Sequence, residues 1–426
     1  MKINCKIHGF FEFLGYRMIV FSYIPERYRI CEDTGVRGGC GVEKEMEIYI
    51  HVPFCVRKCA YCDFLSGPGD EMTIERYVEA LIQEISQCNS KKRKSTSETV
   101  TTVFLGGGTP SILSPTQIER IMGALHEAFE IEQDAEITIE ANPGTVNCEK
   151  LEAYKQAGIN RISFGLQSTN NEELKLLGRI HTFEEFLESF QLARDCGFDN
   201  INIDLISAIP GQTVESWEAS LKRIIELNPE HISAYSLIIE EGTPFAKLYG
   251  EGTEGEKELP TEDDERLMYQ RTEELLEESG YHRYEISNYA KPGRECRHNL
   301  GYWERKNYLG IGLGASSLID NTRYKNIDNL DCYIQHADDL TEIQEDREIL
   351  SQTEQMEEFI FLGLRKTRGI SIQEFQDTFG RRLDECYGEN IRRMREAGLI
   401  VIKHGFLRLT KKGIDVSNYV FAEILG

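Results

Sequence analysis

Cys55, Cys59 and Cys62, in the run His51-Val-Pro-Phe-Cys55-Val-Arg-Lys-Cys59-Ala-Tyr-Cys62-Asp-Phe64, are the residues whose spacing speaks most directly of chemistry. A Cys-x3-Cys-x2-Cys loop offers three thiolates to a four-iron cubane, and three protein ligands leave one iron open to an exogenous ligand. Chemistry is expected at that open iron. Structural zinc asks for four ligands, and no fourth Cys or His follows at short spacing.

A thiolate-held cluster needs a compartment that keeps its ligands reduced. The other cysteines, Cys5, Cys31, Cys40, Cys88, Cys148, Cys196, Cys296, Cys332 and Cys386, show no paired spacing. They read as ordinary reduced thiols, which argues for the cytosol and against a disulfide framework. The apolar patch from Phe10 to Ile24 is interrupted by Glu12 and Arg17, and no small-residue cleavage site follows it. Neither a signal peptide nor a membrane span is expected. Forty-eight basic against 72 acidic side chains give a formal charge of -24. A field of that sign repels phosphate backbones and disfavours nucleic acid as a partner, so an anionic ligand would need a local basic pocket. The polar run Cys88 to Glu98 reads as a solvated loop.

The elements that must position the cysteines follow from periodicity. At 426 residues the chain can bury one large α/β core and a smaller domain. From residue 46 onward, short β-branched runs alternate with helical stripes, as in successive βα units around a parallel sheet. The expected strands are Glu47 to Val52, Thr101 to Leu105, Glu136 to Glu140, Arg161 to Gly165, Asn200 to Leu205 and Ile232 to Leu237. Six such strands fit one barrel-like sheet. Ile118, Ile121, Met122, Leu125 and Phe129 form one amphipathic stripe between them, and Trp217, Leu221, Ile224 and Ile225 another. Ligands in parallel α/β architectures collect at the carboxyl ends of strands. Gly106-Gly107-Gly108-Thr109-Pro110 lies there, where glycine lets backbone approach a ligand closely. Glu140, Gln167 and Asp204 end the next three strands.

Taken together, the cysteine loop, the GGGTP segment and these polar strand ends resemble the coproporphyrinogen III oxidase-like branch of radical S-adenosylmethionine (SAM) proteins, from Met46 almost to the C-terminus. Within that branch the chain is most similar to the heme chaperone subgroup. The resemblance implies a partial (β/α)6 TIM-like barrel of the α/β class carrying a [4Fe-4S] cluster on Cys55, Cys59 and Cys62. It implies that Tyr49, Gly107, Glu140 and the backbone around Tyr61 contact the cluster-bound SAM. Gly108, Thr109, Gln167, Arg179 and Asp204 match positions that contact a second SAM in the oxidases. The glycine-rich run Tyr308 to Ser317 is expected to return to the SAM pocket.

Two features bear on which activity the resemblance implies. The oxidases carry a fourth cysteine two residues beyond the last cluster ligand, and here that position is Phe64. His298-Asn299-Leu-Gly-Tyr302-Trp303 matches a His-Asn-x-x-Tyr-Trp signature that the resemblance associates with heme. Imidazole is a common axial ligand for heme iron, and Tyr and Trp offer flat surfaces to a porphyrin. Cys296 competes with His298 as a ligand, and Arg294 and Arg297 are candidates to meet heme propionates. The implied function is a heme chaperone that binds heme and passes it to acceptor proteins, with an electron donor for the cluster. Its alternative is oxygen-independent coproporphyrinogen III oxidase, in which a 5'-deoxyadenosyl radical initiates two decarboxylations to protoporphyrinogen IX.

The domain reading follows. Residues 1–45 are an N-terminal extension of uncertain order, expected to be an appendage or to lie upstream of a start at Met46, against the rival of a cap over the cluster. Residues 46–318 form the core barrel. Residues 319–426 form a HemN-C-like, winged-helix-like α+β domain, with helices from Gln352, Ser371 and Asp384 and a hairpin around His404-Gly405. A homodimer is left open.

Overall fold

The computed structural model describes residues 44–89 and 98–425. The readings made for residues 1–43 and 90–97 lie outside these. In chain order the first half comprises β1 (Lys44–Val52), α1 (Glu71–Gln87), β2 (Glu98–Gly107), α2 (Pro115–Ala128), β3 (Glu130–Ala141), α3 (Cys148–Gln156), β4 (Arg161–Gln167), α4 (Asn171–Leu176), α5 (Phe183–Asp195), β5 (Ile201–Ser207), α6 (Val214–Glu226), β6 (His231–Ser236), α7 (Pro244–Tyr249) and α8 (Glu262–Glu278). Strands β1 to β6 lie side by side in that order, each parallel to the last. The six expected strands are all present, and the sheet is the expected partial barrel.

Local sequence explains where the helices begin. Ser114 and Gln117 form a capping box before Pro115 opens α2, and Thr182 with Glu185 does the same for α5. These side chains satisfy amide groups that the first helical turn cannot. The stripe Ile118, Ile121, Met122 and Leu125 is buried against the sheet, as are Trp217, Leu221 and Ile224 of α6.

The second half comprises β7 (His282–Arg283), β8 (Asn288–Ala290), α9 (Arg297–Trp303), β9 (Asn307–Ile311), β10 (Ser316–Ile319), β11 (Thr322–Asn326), α10 (Leu330–His336), α11 (Leu340–Ile343), β12 (Gln344–Ile349), α12 (Gln352–Gly363), β13 (Ile370–Ser371), α13 (Ile372–Phe379), α14 (Leu383–Glu396), β14 (Ile400–Lys403), β15 (Phe406–Leu409), α15 (Lys411–Asp415) and α16 (Ser417–Leu425). Strand β9 joins the sheet parallel to β1, and β10, β11 and β12 continue it antiparallel, while β8 and β7 extend the opposite edge. The main sheet therefore runs on to Ile349, past the boundary expected at residue 318. Periodicity missed β12 because Gln-Glu-Asp-Arg-Glu-Ile is largely exposed at the sheet edge and has no apolar alternation.

Helices α12 to α14 and the β14–β15 hairpin, which β13 completes as a small sheet, make the expected winged-helix-like module. Its core is not self-contained. Tyr302, Trp303, Tyr308 and Leu318 from the barrel side share one hydrophobic cluster with Ile360, Phe375 and Leu407. A buried ion pair crosses the same boundary, with Glu358 of α12 accepting from Arg305 at 2.7 Å and also engaging Arg323.

Candidate functional site

The cysteine loop leaves β1 and is pinned from three sides. Cys55 N–H donates to the Gly67 carbonyl (2.9 Å), Ala60 N–H to that of Leu177 (3.0 Å), and Phe245 N–H to that of Ala60 (3.1 Å). Gly178, at φ +80°, faces the Ala60 amide, where a Cβ would stand only 3.1 Å from the nitrogen. All three sulfurs are free and half-buried. Thr109 Oγ1 lies 3.5 Å from Cys55 Sγ, and Arg179 Nη1 lies 3.4 Å from Cys59 Sγ. Burial pushes the Cys62 thiol up to about 11.

Among the described residues no three His, Cys, Asp or Glu side chains gather tightly enough for a single metal ion. A cubane instead takes its thiolates at separate corners. The loop fits such a group on one further observation. A Cβ on Gly108 would stand 2.6 Å from the Phe54 carbonyl and 3.0 Å from Cys55 Sγ, so the thiol loop packs directly on the glycine backbone and is held there only because residue 108 has no side chain.

A cavity of about 1220 Å³ opens from this loop into the barrel, lined by the three cysteines, by every residue expected to contact SAM and by His298, but not by Arg294, Cys296 or Arg297. Side-chain alternation explains the convergence, since Arg161, Ser163, Gly165 and Gln167 of β4 face the lumen together, as do Asn202, Asp204 and Ile206 of β5. Glu140 accepts from Gly107 N–H at 3.0 Å. Burial first, and then the charge of Asp204, raises Glu140 to about 8. Asn142 donates to Thr109 Oγ1 at 2.8 Å and accepts from Arg179, whose Nη2 also reaches the Gly165 carbonyl. Gln167 sits at φ +76°, which is uncommon for a side-chain-bearing residue. Tyr49 donates to His51 Nδ1 at 3.0 Å, an assignment set by the neighbouring ring nitrogen, Nε2, which must donate to the Leu65 carbonyl.

The motif at 298–303 closes the other end of the lumen, towards the amino ends of the strands. Glu136 of β3 accepts the backbone N–H groups of Arg297 and His298, both at 3.1 Å. His298 stacks on Phe104, with ring centroids 5.2 Å apart, and meets Tyr302 edge-on. Its Nδ1 is 2.6 Å from Thr102 Oγ1 and its Nε2 is 3.0 Å from Tyr302 Oη. Both nitrogens of the expected heme ligand are thus already engaged, and burial followed by the charge of Arg161 lowers the ring to about 3. Cys296 is fully buried against Glu136, and burial drives its thiol upward. Arg294 and Arg297 point away from the lumen, towards Asp199 and towards Glu132 and the Asp134 carbonyl.

Sequence reasoning missed the polar chain that joins the two ends. Asp204 accepts from Asn202 (2.8 Å), Asn202 meets His231 Nδ1 (2.6 Å), His231 Nε2 meets Tyr284 Oη (2.7 Å), and that hydroxyl accepts Cys296 N–H (3.3 Å). It also passed over Arg161, Asn142 and Glu136. Period-two alternation from Asp204, Gln167 and Glu140 points to Asn202, Arg161 and Glu136.

A parallel partial barrel with three thiols at its carboxyl end and a glycine-lined cavity behind them defines a radical SAM protein. Residues 49–224 match the radical SAM superfamily and residues 350–416 the HemN C-terminal domain. The chain is 37% identical over 384 residues to the heme chaperone HemW of Lactococcus lactis, covering 90% of this chain and 98% of that protein. It is 38% identical over 379 residues to the heme chaperone HemW of Bacillus subtilis, covering 89% and 98%. Coproporphyrinogen III oxidase (HemN) from Escherichia coli, described as a radical SAM enzyme, superposes with a TM-score of 0.78 at 25% identity, over 89% of this chain and 90% of that one. The chain belongs to the HemW family of HemN-like radical SAM proteins. No helix among the described residues is long and apolar enough to cross a membrane.

Proposed function

We propose that this protein is a heme chaperone of the reducing cytosol, binding heme and passing it to acceptor proteins. In this reading Cys55, Cys59 and Cys62 hold a [4Fe-4S] cluster that takes electrons from a donor protein. Tyr49, Gly107, Glu140 and the Tyr61 backbone hold SAM beside it. Gly108, Thr109, Gln167, Arg179 and Asp204 line the adjoining part of the lumen. The cluster supplies an open iron and one-electron chemistry when bound. The chain's own residues orient the ligands.

The observation that carries the reading is the single cavity that the thiol loop and the His298 motif share. Heme would meet the motif from within the lumen, where Tyr302 and Asn299 also face. Iron ligation by His298 then requires the Tyr302 hydroxyl to give up Nε2. Phe64, 46% exposed at the mouth, offers no thiol where the oxidases have one, and the heme chaperones of Lactococcus lactis and Bacillus subtilis match 90% and 89% of this chain.

The test is anaerobic reconstitution followed by two parallel assays with SAM and reductant. One offers heme and follows the Soret band, and the other offers coproporphyrinogen III and follows protoporphyrinogen. Heme binding without decarboxylation is the expected result. Protoporphyrinogen formation at many turnovers, with no heme bound, would replace this reading with the oxidase one.

A further inference from the structure

Arg161 opens β4 and lines the cavity while only 2% exposed. Its Nε has no hydrogen-bond partner, and among the described residues its guanidinium makes no side-chain hydrogen bond or ion pair. Three carboxylates interact with its charge, Glu136 and Asp204 and also Glu140. All three hydrogen-bond elsewhere, Glu140 with the Gly107 amide. Glu136 accepts the Arg297 and His298 amides, and Asp204 accepts Ser163 Oγ at 3.1 Å and Asn202 Nδ2 at 2.8 Å. A buried guanidinium without a fixed acceptor is costly, and its planar fork matches a carboxylate in bidentate fashion.

The position of this cation gives it a specific use. Its charge reaches the His298 ring across the lumen. Arg294 and Arg297, the sequence candidates for heme propionates, are 39% and 43% exposed on the outer surface and paired with acidic groups there. We infer that Arg161 is the residue that receives a propionate-type carboxylate of the ligand held against the 298–303 motif. The inference rests on the heme reading and adds to it a charge-recognition site inside the barrel. It also explains how a chain of charge -24 admits a dianionic macrocycle, since the field outside repels it and a desolvated cation inside attracts it.

The experiment is a cycle of two ligands and two proteins. Heme and heme dimethyl ester, which lacks the carboxylate charges, are titrated into the wild-type protein and into Arg161→Gln. A hydrogen-bonded ion pair of this kind corresponds to roughly ten- to hundredfold in affinity. The wild type should prefer heme by that factor, and Arg161→Gln should bind both ligands about as the wild type binds the ester. An unchanged preference in the variant, or no preference in the wild type, overturns the role of Arg161 while leaving heme binding intact. Binding of neither porphyrin by the wild type overturns the heme reading itself. If the glutamine variant does not fold, Arg161→Lys answers the same question. A point charge replacing the fork should shrink the preference several-fold, and an unaltered preference refutes the assignment.

Discussion

The carboxyl group of Glu47 packs directly on the α-carbon of Gly301, so that a β-carbon at position 301 would overlap both carboxyl oxygens. Glu47 is 1% exposed and neither oxygen has a hydrogen-bond partner. The glycine in His-Asn-Leu-Gly-Tyr-Trp is therefore a packing requirement of the barrel floor. Gly301→Ala should destabilise the protein by about 1–3 kcal/mol, as overpacking does. In a Glu47→Ala background the same change should cost less than half as much, because the two residues touch. Urea midpoints of the four proteins check this, and additive effects would sink it.

Removing one cluster thiol should be visible in metal content. Cys59→Ala leaves one corner of a cubane without a protein ligand and removes the sulfur that faces Arg179. Iron and sulfide counted after anaerobic reconstitution should fall well below four each per chain. Full loading with an unchanged visible spectrum would contradict the three-thiol assignment.

Glycine 108 allows a subtler test of the same loop. Gly108→Ala places a methyl group against the Phe54 carbonyl and Cys55 Sγ, so the loop must shift although every ligand remains. We expect reduced or slower iron incorporation with the far-ultraviolet dichroism of the wild type. Normal loading would mean that the loop yields at little cost.

Glu140 sets a pH dependence whose sign is fixed. Its carboxyl is raised from an ordinary value near 4.5 to about 8 in the folded chain, first by burial and then by Asp204. The folded state holds that proton more tightly than the unfolded state, so its contribution is most favourable below about 4.5. It is lost progressively as pH rises towards about 8, and amounts to a few kcal/mol. Glu140→Gln, still able to accept from Gly107, should flatten the decline between pH 5 and 8 in cluster-free protein. Parallel wild-type and variant stability curves over that range would show that another group is responsible.

Glu358 joins the barrel to the C-terminal module through Arg305 and Arg323, all three side chains being largely buried. Glu358→Gln leaves two buried cations without their anion and should cost about 3–5 kcal/mol. Calorimetry or urea unfolding would measure it, and a loss below about 1 kcal/mol would mean that water reaches the pair.

Strands β1 to β6, the helical stripes and the strand-end residues Glu140, Gln167 and Asp204 were legible because each obeys one local rule of periodicity or of strand-end placement, whereas Tyr49, Tyr61 and Arg179 came only from the family resemblance. Residues at the opposite end of the lumen were not legible. Glu47, Glu136 and Arg161 are charged residues buried inside strands, which the ordinary inside-outside pattern assigns to a surface. Only the closure of the sheet around them makes their faces interior. The paired state of His298 was equally hidden, since Thr102 stands 196 residues away along the chain. Strand β12 escaped for the converse reason, its order coming from its pairing with β11.

Helix α9 belongs to two cores at once, with His298 in the lumen while Tyr302 and Trp303 sit among the side chains of the C-terminal module. A chain cut after residue 349 would expose those two aromatic rings, together with Tyr308 and Leu318. Neither half can melt without stripping apolar cover from the other. The closing segment of the barrel and the C-terminal module are thus expected to unfold as one cooperative unit, for which a single unfolding transition is the natural thermodynamic signature.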